Sequence, residues 1–261
     1  MPLRRRTLLA LGLGTIAAGV AGCSTGGGSS PSAYCVSTGQ VGRHSRLGNA
    51  RLVYDISGKP TSFRFDGGFY DQLVRWLSDY RELSGTKPPD QVWTYGSWLD
   101  GEPNCDSWHD AGRAFDLSRL VAGNEVLVSC RYDLWRNYTG ARLQYFRSRY
   151  WALAASLHLH FAYVLTYLYN STHHNHIHID NGRSGDQLST FSKRSPSQVQ
   201  AVQGMLNHVW GQRVEISSDW NDETADATRS VLERTEHPGA VDDGTDQWRA
   251  FLRATAAHRP S

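Results

Sequence analysis

The stretch NSTHHNHIHIDNG, residues 170–182, holds four of the chain's 11 histidines: His173, His174, His176 and His178. Some way upstream stands SWHDAGRAFD, residues 107–116, with His109, Asp110 and Asp116. Neutral imidazole and carboxylate are donors that suit zinc and related divalent ions. His109 and Asp116 from the first stretch, with His178 from the second, make a set of two nitrogens and one oxygen. Three protein donors leave a position on zinc for water or substrate, as a catalytic site requires. Two blander readings compete: a loose metal-sequestering tract, and histidines buried in a strand.

The alternation in IHID, residues 177–180, reads as a strand. Successive strand side chains point to opposite faces. His176, His178 and Asp180 therefore share one face, while Ile177 and Ile179 point to the core. This places His176 beside a metal without making it a ligand. Near pH 7 a neutral imidazole there can accept a proton from a water that zinc has acidified. His174 is expected to face away. Trp98 and Trp108 flank the same region, either lining a peptide or sugar groove or packing in the core.

Residues 107–116 fit S-x-H-x-x-G-x-A-x-D at all five fixed places, and His176-Ile177-His178 supplies an H-x-H about sixty residues later. In these motifs, over roughly residues 66–182, the chain resembles the LAS clan of lysostaphin-type endopeptidases, D-Ala-D-Ala metallopeptidases and hedgehog domains. The resemblance implies a zinc ion held by His109, Asp116 and His178. Some clan members place a catalytic Glu three residues before the last ligand, where this chain has Asn175. Others use a histidine two residues before it, with another three residues earlier still; His176 and His173 match that pattern. His176 is thus the implied general base and His173 its helper. Ser107 is either a turn residue or, as the resemblance suggests, a substrate contact. Gly112 and Ala114 allow close backbone packing between the ligands. One departure stands out. The D-Ala-D-Ala peptidases carry a Gly-Tyr-Arg-like turn whose Arg binds a terminal carboxylate, whereas this chain reads Tyr95-Gly96-Ser97-Trp98. The lack of Arg points to an endopeptidase, or to Arg113 or Arg119 in that role. The implied activity is hydrolysis of stem-peptide or cross-link amide bonds in bacterial peptidoglycan. The alternative is a non-catalytic, zinc-containing lipoprotein of hedgehog-like fold that binds cell wall or protein.

The elements that must position these residues are legible in outline. Residues 50–68 read as a hairpin, with Leu52, Tyr54 and Ile56 alternating and 62–65 returning. Residues 68–83 have a helical period through Phe69, Leu73, Trp76, Leu77 and Tyr80. Short strands are expected at 92–98 and 125–130, an amphipathic helix at 143–160, and a β-prone run at 161–170. Three more helices are expected at 199–210, 223–234 and 245–256. The expected class is α+β: a small antiparallel sheet carrying the zinc, flanking helices, and a C-terminal three-helix unit. The metallopeptidase domain is set at 46–184, a polar linker at 185–197, and the helical unit at 198–258. Gln203, Leu206 and Asn207, followed by Trp220, Asn221 and Thr224, are similar to three-helix peptidoglycan-binding modules, although the Asp-Gly and Pro of those modules' loop are missing.

Residues 1–22 read as an export signal. Arg4 to Arg6 precede an apolar run, and Arg5-Arg6-Thr7-Leu8-Leu9 resembles a twin-arginine signal. Val20-Ala21-Gly22-Cys23 resembles a lipobox, so Cys23 is the expected lipidation site, with a Gly/Ser-rich tether over 23–45. This implies an exported protein, lipid-anchored at the outer face of the cytoplasmic membrane. Loss of the three leader arginines takes the formal charge from +2 to −1. That value argues against nucleic acid as a partner. Of the remaining cysteines, Cys105 and Cys130 flank the first motif region and are the expected disulfide, with Cys35 left over.

Overall fold

The computed structural model describes residues 34–98 and 105–259. The expected export signal and lipidation site at Cys23 lie outside them. No helix among the described residues is long and apolar enough to cross a membrane.

The chain opens with short strands β1 (Gly42–His44) and β2 (Arg46–Leu47), then β3 (Ala50–Tyr54), β4 (Lys59–Pro60) and β5 (Phe63–Phe65). Helix α1 (Gly67–Ser84) leads to β6 (Gln91–Gly96), and a 3-10 turn at Trp108–Ala111 leads to β7 (Ala114–Ala122) and β8 (Glu125–Ser129). The short α2 (Tyr132–Trp135) and the long α3 (Gly140–His160) precede β9 (Tyr163–Leu165) and β10 (Ile177–Asp180). Three helices follow: α4 (Pro196–His208), α5 (Asp222–Arg234) and α6 (Thr245–Ala257).

The main sheet runs β2-β3-β6-β7-β10-β9, with β4 paired to β3 and β8 to β7. It is mixed rather than antiparallel, because β3 and β6 run parallel. The cause is α1, which carries the chain back before β6 begins, as a parallel connection requires. The expected hairpin is shorter than its sequence suggests. Val53 pairs with Pro60 and Tyr54 with Lys59, whereas β5 leaves to pair with β1.

Helix α1 begins where Asp66 Oδ1 accepts the Phe69 amide at 3.0 Å. It ends at Gly85, whose φ of 53° suits glycine. Its apolar face buries Phe69, Leu73 and Trp76 fully. Trp76 Nε1 donates to Ser156 Oγ at 3.1 Å, tying α1 to α3. Helix α3 is not amphipathic as expected: from Leu153 to His160 every residue is buried. Elements cover it on several sides, and α4 and α6 both pack directly on it. Gly204 of α4 has no room for a side chain, since a Cβ there would collide with the Trp151 ring of α3. The described residues form one compact unit. The polar stretch 185–197 therefore marks a change of texture along a shared core, and it is fastened to α3, with the Ser189 amide donating to Leu159 O at 3.2 Å.

The cysteine pairing differs from expectation. Cys35 and Cys105 form the disulfide, and Cys130 is a free, buried thiol. The β7–β8 hairpin turns Cys130 inward, where it joins the apolar cluster around Trp135 and Tyr150. Burial, the largest influence, raises its pKa. Non-reducing peptide mapping is expected to link Cys35 to Cys105. Cys130 should resist alkylation until the protein unfolds.

His158 of α3 is fully buried, with neither ring nitrogen hydrogen-bonded. Burial pushes its pKa down to about 3. An unfolded histidine takes its proton near 6.5, so below that pH the unfolded chain holds a proton that the folded one refuses. Its contribution to stability is whole above pH 6.5 and declines by about 1.4 kcal/mol per pH unit as the pH falls towards 3. Denaturant titrations of His158→Leu should accordingly lose less stability between pH 6.5 and 4 than the wild type does.

Candidate metal centre

Asp116 and His178 lie opposite each other in register on the antiparallel strands β7 and β10. Their flanking residues Phe115, Leu117, Ile177 and Ile179 are completely buried, so pleat and core together point the two polar side chains the other way. His109 arrives from the 3-10 turn. Ser107 begins that turn, its Oγ accepting the His109 amide at 3.3 Å. Gly112 closes it with a φ of 65°. A Cβ on Gly112 would stand 2.8 Å from the Asp66 amide nitrogen, so the close approach also demands glycine.

Three imidazole nitrogens converge on Asp116 Oδ1. His178 Nδ1 lies 3.0 Å away, and the Nε2 atoms of His109 and His176 each 3.4 Å. One carboxylate oxygen has two lone pairs and cannot accept three protons well. The other ring nitrogens are held from behind. His109 Nδ1 is 2.7 Å from the Ser97 carbonyl and so carries the proton, leaving Nε2 as a donor to a metal. His178 Nε2 faces Asp180 Oδ2 at 3.4 Å, leaving Nδ1 on the Asp116 side. This backing by a carbonyl and a carboxylate is what metal-bound histidines receive. Ligand atoms on a tetrahedral ion with bonds of about 2.0–2.1 Å stand roughly 3.3 Å apart. The spacings around Asp116 match that figure. His109, Asp116 and His178 can thus hold a metal ion, their ligand atoms all lying within 4.8 Å of one another.

The electrostatics agree with a site built for a cation. Burial alone would raise the Asp116 carboxyl, but the His109 charge and hydrogen bonds from His109 and His178 hold it well below the carboxylate range. Burial disfavours a charged His178, yet its hydrogen bonds to the Asp116 and Asp180 carboxylates overcome this and raise its pKa to about 9. His176 is pushed down, first by burial and against the pull of Asp116. Its Nδ1 sits 2.6 Å from Asn175 Oδ1, which fixes the ring and turns Nε2 to the centre. His173 stands behind, its ring centroid 5.1 Å from that of His176. Asn170 Oδ1 holds its Nδ1 at 2.7 Å, and burial with the neighbouring histidines brings its pKa down to about 4. His174 turns its ring against Tyr132, with centroids 5.1 Å apart.

The expected substrate contacts fare differently. Ser107 is engaged as a turn cap. Trp98 is buried at 6% exposure and does not present a face to a cleft; its amide donates to Arg64 O at 3.2 Å, which anchors the end of β6 inward. Trp108 packs on Tyr34 at 4.4 Å and lies so close over Gly182 that no side chain fits there. Both alternative arginines are already engaged, Arg119 by a carboxylate and Arg113 by an amide. Arg113 donates to Asn181 Oδ1 at 3.0 Å and to Asn181 O at 2.8 Å. Arg119 is paired with the buried Asp55. Sequence reasoning did not assign roles to Asp180, Asn170 or the Ser97 carbonyl. Asp180 alone had a signal, being on the His178 face of the strand.

In comparisons with known proteins, no family model, no curated protein and no solved structure matches the chain.

Asp180→Asn should weaken binding of Zn2+, used as a probe in competition titrations, by about 10–100-fold while leaving the three donors in place. Asp116→Asn should cost more, since it removes the only anionic donor.

Proposed function

We propose that the protein is a zinc-dependent peptidase that hydrolyses amide bonds in peptidoglycan stem peptides or cross-links, held at the membrane by lipid on Cys23. The observation that carries this reading is His176: a fourth donor-bearing side chain aimed at the centre, outside the three-residue set that can hold the metal. A structural metal site has no need of a free, oriented base at its edge. The two-imidazole, one-carboxylate set suits zinc, which when bound supplies an acidified water and polarises the scissile carbonyl.

The residues of the chain supply the rest. His109, Asp116 and His178 fix the centre, and Ser97 O and Asp180 keep the two imidazoles oriented. His176 Nε2 takes the proton of the attacking water and passes it to the departing amine nitrogen. Asn175 holds the far side of that ring throughout. His173, seated on Asn170 beside His176, would serve as its helper, stabilising charge or orienting the water. The motif resemblance and the export signal together direct the reading to the cell wall. With Arg113 and Arg119 engaged by Asn181 and Asp55, an endopeptidase fits better than a carboxypeptidase.

Digestion of purified peptidoglycan, with mass analysis of the products, tests the proposal. Wild type loaded with zinc should release new muropeptides, and a chelator should stop it. His176→Ala should bind zinc with unchanged stoichiometry and lose about 10²–10⁴-fold in kcat. An unchanged muropeptide profile from the zinc-loaded wild type would sink the reading.

A further inference from the structure

Among the described residues strand β9 is the last in the main sheet and pairs on one side only, with β10. The outward N–H and C=O groups of such a strand are free to pair with another extended chain. Beside it lies a groove of about 560 Å³, within the range of ligand sites. Tyr163 and Leu165 of β9 form one wall, and Thr190, Ser192, Arg194 and Pro196 the other. The second wall is tied to the start of α4. Gln198 Oε1 accepts the Ser192 amide at 2.8 Å, and its Nε2 donates to Thr190 O at 3.0 Å.

The groove approaches the metal centre through one aromatic ring. Tyr169, which is 52% exposed, also lines it. Its ring meets His173 edge-on at 5.4 Å, and His173 in turn neighbours His176. The charge is one-sided. No Asp or Glu lines the groove, and none occurs anywhere from Leu134 to Ile179. Arg194 is exposed, and its guanidinium makes no ion pair among the described residues.

We infer that this groove is the remote substrate subsite of the His109–Asp116–His178 centre, receiving an extended peptide that pairs with the edge of β9 and offers a free carboxylate to Arg194. The identity of the ligand rests on the peptidase reading; the groove's chemistry does not. Mixed apolar walls and hydroxyls suit small side chains, and the only charge in the groove suits an acid. The lost carboxylate-binding Arg near Tyr95 and Gly96 thus has a counterpart on the far side of the site, where it holds a carboxylate away from the scissile bond.

The test uses the full chain with His176→Ala, so that binding is read without turnover. The probes are disaccharide-peptide monomers released from peptidoglycan by a muramidase, as free acids and with their carboxyls amidated. Titration calorimetry should show the free acids binding roughly tenfold tighter than the amides. Arg194→Gln should erase that preference and Arg194→Lys restore much of it. Thr190→Trp, which fills the groove, should weaken both probes, with zinc content and thermal midpoint unchanged. Hydrogen exchange at residues 162–165 should slow on binding. In the otherwise wild-type chain, Arg194→Gln should raise KM with little change in kcat. Equal affinities for both probes in all variants would overturn the subsite. Groove-dependent binding with no cleavage by the wild type would uphold the groove and remove the peptidase reading. Cleavage with binding and KM indifferent to positions 190 and 194 would do the reverse.

Discussion

The pairing of Asp116 with His178 across two antiparallel strands is the constraint on which the rest of the structure turns. A slip of one residue between β7 and β10 would send one of them into the core and bring an isoleucine or leucine out. The fully buried Phe115, Leu117, Ile177 and Ile179 make that slip costly, at about 1.5–3 kcal/mol for each large apolar side chain exposed. Chemistry at the centre is thus held in place by hydrophobic burial on the opposite face of the same two strands. The surrounding parts serve the pair. The 3-10 turn delivers His109, Ser97 and Asp180 fix the imidazoles, and the segment before β10 folds so that His176 looks at the same oxygen.

The donors were legible because two short motifs carry fixed spacings, and because strand alternation assigns faces without any knowledge of pairing. Helices α1, α4, α5 and α6 were legible from their apolar periods, with ends shifted by a few residues. What escaped was long-range. The parallel β3–β6 pair depends on where α1 delivers the chain, and nothing local to either strand states it. The Cys35–Cys105 bridge joins positions 70 residues apart, whereas Cys130 follows a buried strand inward. In the sequence Trp98 and Trp108 stand open between cleft and core, because large aromatics near ligands serve binding and packing alike; the structure buries Trp98 and leaves Trp108 partly exposed. Helix α3 reads as amphipathic because its serines and histidines are polar by type, yet Ser156, His158 and His160 are all buried.

The C-terminal Gln-x-x-Leu-Asn pattern has an internal use. Gln203 Oε1 accepts the amides of Ser217 and Ser218, at 3.1 and 3.2 Å, and its Nε2 donates to Asp219 O. Asn207 exchanges two hydrogen bonds with the backbone of Val214. Asn221 caps α5 through Thr224. These polar residues are occupied in shaping the loop between α4 and α5, so their spacing records how the helices are joined. Trp220, on the same loop, packs its ring 4.7 Å from Phe191.

Helix α3 belongs to both halves of the molecule. Trp151 meets Gly204 on the α4 side, and Trp248 of α6 lies 5.9 Å from the His158 ring. A gene rearrangement that ended the chain after Gly182 would keep every donor atom of the metal centre and strip the cover from that helix. The metal-site and C-terminal parts therefore depend on each other for burial of that helix. Lineages of this protein should vary by changing loops on a fixed frame, because shuffling the helical half onto other proteins would leave an apolar helix bare.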